Sequence, residues 1–189
     1  MFPDVSRLPT LATGRLRLRE LGTRDVDALY AVFSDAEVMR YWSRPAFATR
    51  DEAVEYLEHI HRGRAQRRLW QWGIATSDDD VVIGTCTLFA NDGWRAEIGF
   101  ALGRTHWGRG YAREAVACVV AYAFDTLRLH RLEADIDPRN AASCALVERF
   151  GFRLEGRLRE RYCVAGDVQD TALYGLLATD RATAIDAGA

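Results

Sequence analysis

The 189-residue chain contains no lysine; all 25 of its basic residues are arginine. That absence excludes a Walker phosphate loop, whose GxxxxGK[ST] spacing needs a lysine to reach the phosphates. It also leaves the chain without a lysine side chain of its own to be acylated. Cysteine is sparse, and Cys86, Cys118, Cys144 and Cys163 are scattered, with no CxxC and no histidine at ligand spacing. Neither a metal site nor a disulfide framework is expected, and the four read as free thiols. No apolar run approaches the ~20 residues that cross a bilayer. The opening "MFPDVSRLPT" has neither the basic start nor the apolar middle of a secretory signal. A cytoplasmic protein with no membrane partner is the expectation. Net charge is −2, so no global field would recruit nucleic acid.

What is present fits one globular domain, with a core over about residues 10–180 and short tails. "RLRLREL" (15–21) alternates as a strand with one buried face. "TRDVDALYAVFSD" follows with Thr23 placed as a helix N-cap and Val26, Leu29, Tyr30 and Phe33 at helical spacing. A second helix is predicted over 49–63, its stripe formed by Ala53, Tyr56, Leu57 and Ile60. "LWQWGIAT", "VVIGTCTLF" and "RAEIGFALG" then read as strands joined by the turn compositions "SDDD" and "NDGW". Apolar residues from Ala112 to Leu127 mark a long amphipathic helix. "HRLEADID" is the next strand, and "NAASCALVERF" a short helix closed by Gly151. "FRLEGRLRERY" and "DVQDTALYGLLA" close the chain as two paired strands, the outer one an edge at which a homodimer could pair. The order predicts a mixed α/β (α+β) fold with a largely antiparallel, seven-stranded sheet.

The stretch "GRTHWGRGYAREA" (103–115) places three glycines and three arginines between a strand and the long helix. A helix N-terminus exposes unpaired N–H groups and about half a positive charge. Gly108 and Gly110 let successive N–H groups turn toward one anion and let it approach the main chain, while Arg104, Arg109 and Arg113 add charge. The stretch reads as a phosphate cradle, with a plain tight turn as the alternative. It lacks the GxGxxG of a dinucleotide site, because Arg113 stands where the third glycine would be.

With "LATGRLRLREL", "EIGFAL" followed by "HWGRGYAREA", "HRLEADIDPRNAASCALVERFGFRLEGRLRE" and "GDVQDTALYGL" in that order, nearly the whole chain resembles the GNAT N-acetyltransferases. Within them it is similar to the RimJ/RimL ribosomal-protein branch. The resemblance implies a GNAT-like fold with helices on both faces of the sheet and two splayed parallel strands, Glu97–Leu102 and Leu132–Asp137. It implies acetyl-CoA as donor, its pyrophosphate on the amides of Trp107, Gly108, Arg109, Gly110, Tyr111 and Ala112, with Arg113 beside them. The pantetheine arm would bond to the backbone of Phe100, Ala101 and Leu102 and pass Asn140 and Ser143. Asn140 also suits helix capping after Pro138. Two departures stand out: Thr105 occupies a position often Gln or Arg, and Val147 replaces the tyrosine that serves many members as proton donor. Ser143 is then the remaining hydroxyl.

An amine attacking a thioester must first lose its proton. Glu97, on the first splayed strand, is the candidate base, with Asp135 and Glu133 in reserve. His106 reads as a loop residue beside the cradle, and Tyr41 and Trp42 as acceptor-groove lining or core. Tyr162 and Asp170 read as structural, and Cys144 has no paired histidine to make it a nucleophile. The expected acceptor is a protein N-terminal amine. Small amines (polyamine, amino acid, aminoglycoside) and a non-catalytic acetyl-CoA-binding protein are the alternatives, and an acidic groove from Asp25, Asp27, Asp35 and Glu37 would favour a polycation.

Overall fold

The computed structural model describes residues 8–181. The tails, including the first seven residues of "MFPDVSRLPT", lie outside the described residues. The chain runs β1 (Leu11–Ala12), β2 (Leu16–Arg19), α1 (Val26–Phe33), α2 (Ala36–Met39), α3 (Arg50–Ala65), β3 (Leu69–Thr76), β4 (Val82–Asn91), β5 (Arg95–Leu102), α4 (Tyr111–Ala121), β6 (Arg131–Ile136), α5 (Ala141–Glu148), β7 (Arg153–Val164) and β8 (Asp167–Leu177). One sheet takes all eight strands in the order β1-β2-β3-β4-β5-β6-β8-β7, one more than the sequence suggests. The extra strand is the two-residue β1, too short to show a period. Each neighbouring pair is antiparallel except β5 and β6.

Helices cover both faces because successive strand residues point to opposite sides. Ala96 and Ile98 of β5, with Leu132 and Ala134 of β6, pack on Val116 and Val119 of α4 and Val147 of α5. Ala101 joins the other core, with Leu29 and Phe33 of α1 and Leu57 and Ile60 of α3. Glu97, Glu133 and Asp135 alternate with the first set and so face the α1/α3 side. β3, covered on both faces, is apolar and buried almost throughout rather than alternating. α3 begins with a capping box of Thr49 and Glu52. α4 gives way to a wider π-turn over Tyr122–Thr126 before the predicted helix ends.

The start of α1 differs from expectation. Thr23 caps nothing; Thr23–Asp25 form a 3₁₀ turn whose N-cap is Gly22, and the Asp25 carboxylate accepts the Gly22 N–H at 2.9 Å. Asp25 is committed there by Arg19, whose guanidinium donates to both carboxylate oxygens at 2.9 Å and whose Nε donates to Asp80 at 2.7 Å. This buried fork ties β2 to the turn before α1 and to the β3–β4 turn. At the opposite edge β7 is the outer strand, with Leu154 and Leu158 exposed. Its register against β8 slips between Leu154 and Gly156 and again between Leu158 and Tyr162.

Candidate active site

The glycine- and arginine-rich stretch forms the loop that opens α4. Gly108 and Gly110 have φ of 72° and 79°, the left-handed region that side chains with a Cβ disfavour, and Gly110 is the N-cap of α4. The loop is braced by residues far away in sequence. Arg15 Nη1 donates to the Arg109 carbonyl at 3.0 Å and Arg15 Nε to Glu114 at 2.8 Å, while Thr13 donates to the same carboxylate. Trp107 Nε1 donates to the Leu102 carbonyl at 2.7 Å, fixing the loop to the end of β5. The amides at the start of α4 are thus held open. Among the described residues Arg104, Arg109 and Arg113 form no ion pair.

β5 and β6 pair only at Arg95–Arg131, Ala96–Leu132 and Glu97–Glu133. Past Glu97, β5 keeps β4 as far as Leu102, and β6 keeps β8 as far as Ile136. Their facing edges part, and a backbone edge with no partner strand needs polar groups from elsewhere. A cavity of about 560 Å³ opens there and runs to the α4 N-terminus. Every residue expected to hold the cofactor lines it except Arg109, whose backbone carbonyl is held by Arg15.

A second, smaller cavity of about 180 Å³ meets the first at Tyr41, Trp42, Phe100, Asn140 and Ser143. Tyr41 and Trp42 therefore line the junction, and Trp42 also packs edge-on against Phe33, with centroids 5.6 Å apart. Glu97, Asp135, Asp137 and Asp170 line the small cavity. Burial pushes the Glu97 carboxyl up to about 7, with the charges of Asp135 and then Glu133 adding to it and Arg161 opposing. The carboxylates near α1 and α2, whose convergence the sequence left open, do not converge. Asp25 is committed to Arg19, Asp27 pairs with Arg50 at 2.6 Å, and Asp35 caps α2 by accepting from the Glu37 N–H at 2.8 Å. Of those four only Glu37 reaches the larger cavity, so the carboxylates that converge come from the strands instead.

Asn140 is the N-cap of α5, its Oδ1 accepting the Ser143 N–H at 3.1 Å, and the residue lines both cavities. The Ser143 hydroxyl makes no hydrogen bond among the described residues and lines both cavities. Val147 is fully buried in the core below α5. His106 lines the large cavity beside the Tyr111 ring, and burial, helped by the charge of Arg109, lowers its pKa. All four cysteines are free, and no metal-holding cluster occurs among the described residues. No described helix is long and apolar enough to cross a membrane. Tyr162, read from sequence as structural, donates to Asp135 at 2.8 Å and lines the small cavity. Nothing in "GRLRERY" signals this contact, which follows from the register slip between Leu158 and Tyr162.

The family model described as an acetyltransferase (GNAT) domain matches residues 15–153. An N-acetyltransferase from Bacillus licheniformis, itself uncharacterized, is 36% identical over 90% of this chain and 97% of its own. A spermidine N(1)-acetyltransferase from Vibrio cholerae is 28% identical over 82% and 89%. A ribosomal protein uS5-alanine N-acetyltransferase from Escherichia coli is 27% identical over 95% and 97%. Among solved structures, a GNAT-family acetyltransferase from Bacillus anthracis superposes with a TM-score of 0.82 at 22% identity, covering 90% of this chain and 99% of that one.

Proposed function

The chain belongs to the GNAT acetyltransferase family and is an N-acetyltransferase with acetyl-CoA as donor, and we propose that its acceptor is a protein N-terminal α-amine, as in the RimJ/RimL branch. The residues present suit that donor. The braced amides from Trp107 to Ala112, with Arg113 beside them, would hold the diphosphate. The edge of β5 at Phe100, Ala101 and Leu102, past its last pairing with β6, would hold the amide-rich arm through the groups left there once Trp107 has taken the Leu102 carbonyl, and Asn140 and the Ser143 hydroxyl would lie along it. Bound there, acetyl-CoA supplies an acyl group activated as a thioester.

The observation that carries the reading is Glu97, a carboxyl raised to about 7 where the strands part. The acceptor ammonium gives a proton to the Glu97 carboxylate, breaking one N–H bond and forming one O–H bond. For an α-amine of pKa ~8 this transfer is uphill by about one unit, or ~1.4 kcal/mol. For an alkylamine near 10.4 it is uphill by more than three units, or ~5 kcal/mol. The freed nitrogen attacks the acyl carbon and a C–N bond forms, the nitrogen sheds its second proton to water as it becomes an amide, and the C–S bond breaks with the sulfur leaving as a thiolate. Ser143 is the hydroxyl available to protonate it, and with a thiol pKa of ~8.5 water serves as well.

A second reading, a polyamine acceptor, is favoured by Glu97 and Asp135, carboxylates of the small cavity with no arginine paired to them among the described residues, and by the spermidine-acetylating relative. Thiol release from acetyl-CoA, measured against peptides with free N-termini, spermidine and free amino acids, separates the two. The proposal expects the highest kcat/KM for peptides and none for the same peptides N-terminally blocked. Turnover with spermidine exceeding that with every peptide would replace it with the second reading. Self-pairing through the exposed edge of β7 belongs to the same proposal, with the mass in solution as its check.

A further inference from the structure

The small cavity holds more acidic groups than a single base requires, and they are not equivalent. Glu133, beside the cavity rather than in its lining, is bound by Arg95 and by Arg131, at 3.2 and 2.8 Å, and Asp137 in the lining by Arg139 at 2.6 Å, so both charges are countered by guanidinium groups. Asp170 accepts the Glu160 N–H at 2.9 Å and is exposed to solvent. Asp135 is different. Its two oxygens accept only hydroxyl protons, from Tyr162 at 2.8 Å and from Thr171, and no arginine or histidine pairs with it among the described residues. Thr171 is buried at 1% exposure, so its hydroxyl cannot exchange this bond for water.

The sheet aims this carboxylate at Glu97. Glu97 lies opposite Glu133 in the last paired row, and Asp135 stands two residues further along β6, on the same face. Both line the same cavity. The groups around Glu97 are Asp135 and Glu133 from β6, Arg161 and Tyr162 from β7, Asp170 from β8, and Phe89 directly opposite on β4. Asp135 alone brings a half-buried negative charge with no cation bound to it.

We propose that Asp135 is a positioning residue for the transfer: clamped by the Tyr162 and Thr171 hydroxyls, it fixes a negative charge across the parted strands that keeps on Glu97 the proton taken from the acceptor. Two hydroxyl donors suit this task because they orient a carboxylate without cancelling its charge, as an arginine would. The slip in the β7–β8 register between Leu158 and Tyr162 is the local device that brings the phenol to Asp135. After burial, the Asp135 charge does most to raise the Glu97 carboxyl. This proposal rests on Glu97 being the base.

The test is kcat against pH, with a saturating peptide acceptor, for the wild type, Asp135→Asn, Tyr162→Phe and Glu97→Gln. The wild type should show an acid limb near pH 7. Asp135→Asn should move that limb down by about one unit, and Tyr162→Phe should move it the same way by less, because the freed carboxylate can swing toward solvent. Asp135→Glu should return it part of the way. A limb that stays in place in both Asp135→Asn and Tyr162→Phe overturns the proposal, whatever happens to kcat, since a merely structural role would lower kcat without shifting the limb. If Asp135→Asn does not fold, the Tyr162→Phe profile decides alone. Glu97→Gln separates the two readings. Loss of the limb there together with an unmoved limb in Asp135→Asn sinks only the role of Asp135, whereas a wild-type limb in Glu97→Gln sinks the base assignment itself.

Discussion

Replacing Glu97 by glutamine should make the protein more stable and less active at once. In the folded state the carboxyl is held near 7 instead of its ordinary 4.5, first by burial and then by the Asp135 and Glu133 charges. A carboxyl whose folded pKa lies above its unfolded one binds more protons folded than unfolded between those values, so stability falls as pH rises through the window from about 4.5 to 7. Above it, the ionised Glu97 costs the fold about 1–3 kcal/mol, the upper figure being the full shift at ~1.4 kcal/mol per unit. Glutamine keeps the shape and removes the charge. Urea unfolding at pH 8 should therefore find Glu97→Gln more stable by that amount, with a melting temperature higher by about 2–4 °C per kcal/mol. At pH 4 the two proteins should be nearly equal. Turnover should fall by ~10²-fold or more. A variant less stable than wild type at pH 8, or a difference that does not change between pH 8 and pH 4, would refute the account of how this carboxyl is held.

Other residues make separate predictions. Gly110→Ala should cost about 1–2 kcal/mol in the left-handed conformation, and it sets a Cβ 3.4 Å from the Arg15 guanidinium. Calorimetry should show weakened acetyl-CoA binding, by about tenfold if the amides turn away; unchanged affinity would remove the cradle. Asp25→Ala should destabilise by about 3–5 kcal/mol, because it strips a buried guanidinium of its forked partner. Burial alone would raise the Asp25 pKa, but the Arg19 and Gly22 hydrogen bonds win and hold it low. Its contribution is therefore present above pH ~4 and lost on acidification below that, which acid unfolding of wild type and variant would compare. Ser143→Ala should lower kcat by less than tenfold at pH 8, since a thiolate of pKa ~8.5 leaves without much help; a loss of a hundredfold would make the hydroxyl essential.

The strands and helices were legible where their periods are long and regular. Ala53, Leu57 and Ile60 announced α3, and the structure adds the capping box of Thr49 and Glu52 at its start. The α4 loop was legible because left-handed backbone at Gly108 and Gly110 leaves a chemical trace in the residue type. Other features depend on partners far away in sequence. Nothing near Asp25 signals that Arg19 will claim it, so the sequence left open whether these carboxylates converge, where the structure has committed pairs and a cap. Tyr162 meets Asp135 across 27 positions and only because β7 is bulged. The bracing of the α4 loop by Arg15 and Thr13 spans about a hundred positions and was equally hidden in "LATGRLRLREL".

Hydrogen exchange read amide by amide, with and without acetyl-CoA, addresses the centre of the account. The predicted result is slower exchange for the amides from Trp107 to Ala112 and from Phe100 to Leu102 on addition of acetyl-CoA. Free CoA should protect both segments as well, and pantetheine alone only the second. Protection confined to other regions, with both segments exchanging as fast as in the free protein, would contradict it.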